Sequence, residues 1–287
     1  MMNLEHIRTY LTVLHSGGFR DAARQLGISQ PTVTLHIKKL EDSVGQTLIV
    51  RERAGCFPAP GSEAFVRYAE GLVRLAERAR LSLQQPHLTI GAAGNLGIYL
   101  LQPYFRSFAD QQREVARLDM VIDRNDRILD KLESGEVDVA ALEWWDDRRG
   151  FVATVWREEP AVVIVPSDHP WAGLASIRPV DLVGEPMIGG EAHTGTGRML
   201  RNCLGDIAER LTIRCNLGST EAVKSAVRAG LGISIVLEAS VRDELAAKHL
   251  VSVPLNGVRL AKRLYVARSS SLPSNGLAAR FAQHLER

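Results

Sequence analysis

Residues Ser16–Leu40 read SGGFRDAARQLGISQPTVTLHIKKL, and the reading of this stretch decides the fold of the N-terminal third. Phe19, Ala22, Ala23 and Leu26 recur at helical spacing, as do Val33, Ile37, Leu40 and Val44. Gly17-Gly18 separates the first of these helices from an earlier one that carries Leu4, Ile7, Leu11 and Leu14 on one face. Asp21 falls in a first turn, where its negative charge suits the helix dipole. Gly27 ends that helix, because a residue without Cβ takes the left-handed C′ conformation at little cost. Ser29 caps the next helix and Pro31 sits in its first turn, where the missing N–H costs nothing. Residues 3–44 therefore read as three short helices, the last two joined as a helix-turn-helix in which small Ala22 and Ala23 permit close approach.

A capped helix of this kind enters a major groove by its N-terminus. Off its apolar face lie Gln30, Thr32, Thr34, His36 and Lys38, behind a leading Ser29 and Pro31. Glutamine pairs bidentately with adenine, and threonine meets a base acceptor or a thymine methyl. Lys38, Lys39, Arg51 and Arg53 are placed to neutralise phosphates. A three-helix module that merely packs would show similar helices, with its lysines on a solvated face. The ordered succession of turn, cap, wing and long helix favours double-stranded operator DNA as the partner.

Outward from this core, Leu48-Ile49-Val50 and a charged turn through Arg51, Glu52, Arg53 and Gly55 read as a two-stranded wing within residues 45–60. Residues 62–85 read as a long helix with Phe65, Ala69, Leu72, Ala76, Ala79 and Leu83 spaced alternately by four and three, a seam suited to pairing with another helix. Packing on the chain's own body is the commoner fate of such a seam. A dimer would instead present two recognition helices one turn of DNA apart. From His87 onward short apolar strands alternate with helical stretches: Leu88–Ile90, Leu118–Ile122, Val137–Leu142, Ala161–Val165, Pro186–Ile188, Ile213–Asn216, Ile233–Val236 and Leu264–Ala267. That alternation predicts parallel sheets covered by helices.

The chain resembles the LysR-type transcriptional regulators along its whole length. Ser16-Gly17, Ala22-Ala23, Leu26, Ser29-Gln30-Pro31, Val33, Ile37, Leu40-Glu41, Gly45, Leu48 and Arg51 carry the resemblance at the N-terminus. Leu132–Asp138 and Ala229–Ile233 extend it. It departs from the family's pattern at Thr34-Leu35, where many members have Ser-Arg, at Phe57–Gly61, and in a wing about one residue short. The resemblance implies a multidomain α+β and α/β protein: an N-terminal winged helix-turn-helix (1–60), a long linker helix (61–86), and a C-terminal two-lobed α/β effector domain like a periplasmic binding protein. Lobe I would comprise 87–162 and 266–287, and lobe II 163–265. The expected assembly is a homodimer, with a homotetramer left open.

In such a body a ligand is expected between the lobes, at the carboxyl ends of strands where helices begin. Gly94-Asn95, Arg124-Asn125, His193-Thr194-Gly195-Thr196 and Ser219-Thr220 occupy those junctions. Gly94, Asn95, Arg124, Asn125, His193, Thr194, Thr196, Ser219 and Thr220 are thus the candidate effector contacts, and their backbone N–H groups and hydroxyls suit a small anionic metabolite. Each of Asn95, Asn125, Thr194 and Ser219 could equally be an ordinary helix cap. Glu143-Trp144-Trp145 after the third strand would admit an aromatic or amphipathic effector.

Composition is that of an ordinary globular protein, so the motif carries the functional argument. Net charge is +2 over 287 residues, but residues 1–87 carry +3 and the remainder −1, so the basic excess lies where phosphates are expected. No apolar run approaches the ~20 residues that cross a bilayer, and no signal peptide precedes Leu4, so a cytoplasmic location without membrane contact is expected. No G-x-G-x-x-G, Walker, G-x-S-x-G or H-E-x-x-H pattern is found, so no catalytic residue, metal or cofactor is assigned. Two alternatives stay open: a thiol-switch regulator using Cys203 or Cys215, and a DNA-tethered enzyme built on the same body.

Overall fold

The computed structural model describes residues 2–82, 86–112, 117–191 and 193–286. The chain divides into two compact units, Met1–Pro86 with Ser134–Glu136, and His87–Glu133 with Val137–Arg287.

In the first unit, helices α1 (Leu4–Ser16), α2 (Phe19–Leu26) and α3 (Gln30–Val44) enclose Ile7, Tyr10, Val13, Ala22, Val33, Ile37 and Leu40. Both breaks are glycines in the left-handed region, Gly17 at φ 75° and Gly27 at φ 67°, a conformation that a Cβ makes costly. The Ser29 hydroxyl accepts from Thr32 N–H, and Pro31 stands in the first turn of α3, as expected. Strands β1 (Ile49–Glu52) and β2 (Gly55–Pro58) pair antiparallel, with Glu52 opposite Gly55. Only Arg53 and Ala54 are therefore left for the turn. The strand runs further into charged sequence than its apolar start implies, because buried Cys56 opposite Arg51 keeps the hairpin on the core beyond Ile49.

Helix α4 (Glu63–Ser82) follows, and Leu83, expected to close its seam, lies outside the described residues. The rest of the seam does not act as one surface. Ala69 is fully buried in the winged unit's own core, and Phe65 packs there with Val66 and Val73, its ring edge against Tyr10. Leu72 is exposed together with Tyr68 and Leu75, which lie off the predicted stripe. The four-three spacing misled because two neighbouring faces of one helix do different jobs: one roofs the three-helix core and the other is presented outward.

The second unit begins with β3 (His87–Ala93), a π-helical turn over Leu96–Leu100, α5 (Gln102–Gln111), β4 (Arg117–Asp123), α6 (Asn125–Glu133) and β5 (Val139–Leu142). A 16-residue strand, β6 (Phe151–Pro166), leads on to β7 (Pro186–Ile188), α7 (Gly195–Leu204), α8 (Asp206–Glu209), β8 (Thr212–Cys215) and α9 (Thr220–Arg228). β9 (Ser234–Leu237), α10 (Arg242–Ala246), β10 (Leu250–Val253), β11 (Ala261–Ser269) and α11 (Leu277–Leu285) complete it.

The sheets are mixed, which corrects the parallel expectation. β3 pairs parallel with β4 and β5, and β7 with β8. β11 runs antiparallel to both β5 and β6, and the far half of β6 is antiparallel to β9 and β10. β6 therefore belongs to two lobes. Its first half, with β11, packs over Leu88, Ile90, Phe108, Leu264 and Phe281; its second half packs over Val163, Met187, Leu200 and Ile235. The lobes meet where Pro160 pairs with Ala261 and Ala161 N–H donates to Leu260 O, at 2.9 Å. This lies a few residues before 162/163 and 265/266, because β11 starts at Ala261 and commits Leu264 to the first lobe.

Candidate DNA interface and interlobe site

Among the expected DNA contacts, Gln30, Pro31, Thr34, Lys38, Arg51 and Arg53 are exposed, while Val33, Ile37 and Leu40 are buried behind them. Helical period alone separates the two faces. Ser29 is exposed as well, Thr32 and His36 are half-buried, and several of these side chains also bond within the unit. Ser29 and Thr32 hydroxyls bond one another at 2.7 Å within the cap, and the Thr34 hydroxyl donates to Gln30 O at 3.1 Å. His36 is half-buried, with Nδ1 3.0 Å from Thr9 Oγ1. Since that hydroxyl donates to Glu5 O at 2.9 Å, His36 Nδ1–H is the donor to Thr9. The His6 and His36 rings lie 4.6 Å apart, and burial, with His36 and Lys39 adding positive charge, holds His6 below the usual histidine range. His36 thus ties α3 to α1 through Nδ1.

At the wing, the Arg51 guanidinium, opposite Cys56 in the hairpin, lies 3.9 Å over the Phe19 ring, while Arg53 is in the turn. Leu35, which the sequence marks with Thr34 as a departure from the family's pattern but does not assign as a contact, is 48% exposed on α3 beside Thr34. An apolar side chain on a face otherwise polar was the available signal, and such a group suits a thymine methyl.

The interlobe junction centres on Glu143, the residue that follows β5. Its carboxylate is only 10% exposed; Oε2 accepts from Lys262 Nζ at 2.6 Å and Oε1 from Asn95 Nδ2 at 2.9 Å. Asn95 Oδ1 in turn accepts from Thr220 Oγ1, at 2.6 Å, across the lobes. A Cβ added to Gly195, the first residue of α7, would come 2.2 Å from Glu143 Oε2. Position 195 therefore admits the carboxylate only because it is glycine. Asn125 holds the strand end itself, accepting from Glu143 N–H at 2.7 Å and donating to Trp144 O at 3.2 Å.

A second cross-lobe cluster flanks the first. The Tyr99 hydroxyl donates to Glu221 Oε1 at 2.5 Å, and Lys224 reaches Glu221 (2.8 Å), Glu244 (2.7 Å) and Ser240 O (2.7 Å). Burial first, then the hydrogen bond to Glu221, pushes the Tyr99 phenol well above its ordinary value. The Lys224 and Tyr99 bonds hold the Glu221 carboxyl below the usual range. Beside Glu143 opens a cleft of about 440 Å³ lined by Trp144, Trp145 and α7, where Arg198 stacks on Trp144 at 4.2 Å.

Of the expected effector contacts, the structure brings Asn95, Asn125 and Thr220 together around Glu143. Thr194 and Ser219 are helix caps, accepting from Gly197 N–H and Ala222 N–H. Gly94 adjoins Asn95, and Thr196 lies half-buried in the first turn of α7. Arg124 is exposed and paired with Asp126 at 3.1 Å, and His193 is exposed. The positive charge at the junction comes instead from Lys262 and Arg198, which sequence reasoning missed. Lys262 was detectable: it alternates with Leu264 and Val266 on the buried face of β11, an unusual place for an unaccompanied charge. Cys203 and Cys215 are half-buried and pack in different clusters of the second lobe.

Comparison with known proteins agrees with this geometry. Residues 4–60 match the bacterial regulatory helix-turn-helix protein, lysR family, and residues 82–287 match the LysR substrate binding domain. The putative HTH-type transcriptional regulator protein PtxE of Stutzerimonas stutzeri is 39% identical over 196 residues, 68% of this chain and all of that protein. The HTH-type transcriptional regulator CysL of Bacillus subtilis is 26% identical over 269 residues, 92% of this chain and 90% of its own. Among solved structures, a Corynebacterium glutamicum OxyR C206 mutant superposes with TM-score 0.62 at 24% identity, covering 100% of this chain and 91% of that one. Full-length BenM does so with TM-score 0.58 at 21% identity, covering 99% and 94%. The two domain matches and the 39% relative place this chain in the LysR family of helix-turn-helix transcriptional regulators.

Proposed function

We propose that the chain is a cytoplasmic regulator that binds operator DNA as a homodimer and changes its hold on DNA when a small anionic molecule enters the interlobe cleft. One observation carries the reading. The same chain offers an exposed leading face of α3, with Gln30, Pro31, Thr34 and Lys38, and a two-lobed α/β unit whose lobes touch through a few polar bonds. Bases are met by Gln30, Pro31, Thr34 and Leu35, and phosphates by Lys38, Arg51 and Arg53. Tyr68, Leu72 and Leu75 on α4 supply the apolar row for pairing with a second copy. The functional division follows: reader 1–60, linker 61–86, and an effector body whose lobes change at Pro160 and Ala261.

The anionic character of the effector rests on the cleft's lining, where Arg198, Arg201, Lys262 and Arg263 outnumber Glu143 and Glu158. A ligand shifts the lobes only by binding one arrangement more tightly than another. Turnover is not part of the reading, and no nucleophile with an adjacent base is found among the described residues of the cleft. Full-length protein titrated onto inverted-repeat promoter fragments at several salt concentrations tests the proposal. Two chains per site and an affinity that falls steeply with salt are expected. Salt-independent binding, or one chain per site, would overturn it.

A further inference from the structure

We propose that the Glu143 carboxylate is the cleft's own anion, seated where the effector's acidic group binds, and that the effector is a small oxyanion which displaces it. The inference rests on reading the interlobe cleft as the effector site. Its basis is the company that one carboxylate keeps. Asn95 from the first lobe donates to one oxygen, and Lys262 from the connecting strand β11 donates to the other. Gly195, opening α7 of the second lobe, leaves the space in which that second oxygen rests. An amide N–H, an ammonium and a bare stretch of backbone around two oxygens is the arrangement that would receive a carboxylate, phosphate or sulfate oxygen pair from solution.

Lys262 decides between ligand classes. It is 2% exposed, and a charge so deeply buried needs a counter-charge. An incoming oxyanion takes over that duty, so Lys262 is neutralised before and after the exchange. The released Glu143 meets Arg198, Arg201 and Arg263 along the same cleft. An amine ligand attracted to Glu143 would instead bring a second cation against Lys262 and compete for the carboxylate that neutralises it. Because Glu143 also joins Asn95, which bonds Thr220 across the lobes, exchanging it alters how the lobes are held. The competition itself makes the sensor insensitive to low anion concentrations.

The test uses the full chain and the variants Glu143→Ala and Glu143→Ala/Lys262→Met, with acetate, inorganic phosphate, sulfate and ethylammonium as probes at constant ionic strength. Thermal midpoint and the fluorescence of Trp144 and Trp145 report binding. Glu143→Ala should bind at least one of the three oxyanions about ten-fold or more tightly than the unaltered chain, since a charge-assisted bond no longer has a tethered rival. The double variant should lose that gain. If Glu143→Ala folds only with an oxyanion present, and the double variant needs none, the proposal stands equally. Equal or weaker oxyanion binding by Glu143→Ala, the same response in both variants, or ethylammonium binding that Glu143→Ala abolishes would each overturn it. None of these readouts involves DNA, so a failure of operator binding is recognised separately.

Discussion

His36 Nδ1–H donates to Thr9 Oγ1 at 3.0 Å, joining the recognition helix to α1 at the edge of the three-helix core. A histidine on the polar side of a groove-entering helix reads from sequence as a base contact; here its ring is half-buried and stacked near His6. The bond ties α3 to α1. Replacing His36 with Ala should lower the thermal midpoint of the winged unit by an amount equivalent to about 1 kcal/mol, the usual worth of such a bond. The ranking of operator variants should not change. Altered base preference without a change in midpoint would return His36 to the readout surface.

Gln30 and Lys38 should separate cleanly by the kind of loss they cause. Both are exposed on α3, Gln30 at its leading end and Lys38 two turns on. Gln30→Ala should cost about 1–3 kcal/mol at a single base pair and flatten preference there. Lys38→Ala should weaken all sequences alike and lower the salt slope by about one. Fluorescence anisotropy on a panel of single-base operator variants, repeated at three salt concentrations, distinguishes the two. A Lys38→Ala variant that selectively loses one base pair would reverse the assignment.

The winged unit was legible in the sequence because its signals are local. Glycine at φ > 0, a serine cap and Pro31 in a first turn each act within four residues, and each stands where expected. The α/β strands were legible as apolar runs, but their directions were not. The first half of β6, with its exposed Val152 and Val155, and the whole of β10 escaped notice because they are half-solvated and alternate weakly. The interlobe site was legible only in outline. Asn95 and Thr220 stand 125 positions apart and Glu143 and Lys262 119, so nothing in the chain's local pattern pairs them. What the sequence did contain was a lysine on a buried strand face and another, Lys224, between buried Val223 and Val227 on α9. Charges on apolar faces imply partners, without naming them.

Acid should loosen the second cross-lobe cluster. Glu221 has its carboxyl held below the ordinary value near 4.5, by Lys224 first and Tyr99 second. A carboxyl depressed in the folded state adds stability that is complete above its unfolded value and lost as pH falls through the folded one. The thermal midpoint of the effector body should therefore drop as pH falls below the ordinary carboxylate range, and Glu221→Gln should flatten that part of the profile. At pH 7 the variant should already be the less stable of the two. Parallel pH profiles would show that the Tyr99–Glu221–Lys224 contacts add nothing to folding.

Gly195→Ala should destabilise the effector body even though alanine is the better helix former. Gly195 opens α7 with ordinary backbone angles, so the substitution by itself gains up to about 1 kcal/mol through helix propensity. The added Cβ would lie 2.2 Å from Glu143 Oε2 and 3.1 Å from Glu143 Cβ. A free carboxylate would swing aside cheaply. This one is tied at both oxygens, to Lys262 and Asn95, so moving it uncouples a buried ammonium from its counter-charge. Overpacking of this kind costs about 1–3 kcal/mol and outweighs the propensity gain. The sign should reverse when the obstacle is removed: in a Glu143→Ala background, Gly195→Ala should be neutral or stabilising. Thermal melts of the four proteins form a double-mutant cycle. A coupling energy near zero would mean that Glu143 does not rest against α7 in solution, whereas a large one fixes the carboxylate at the junction of the two lobes.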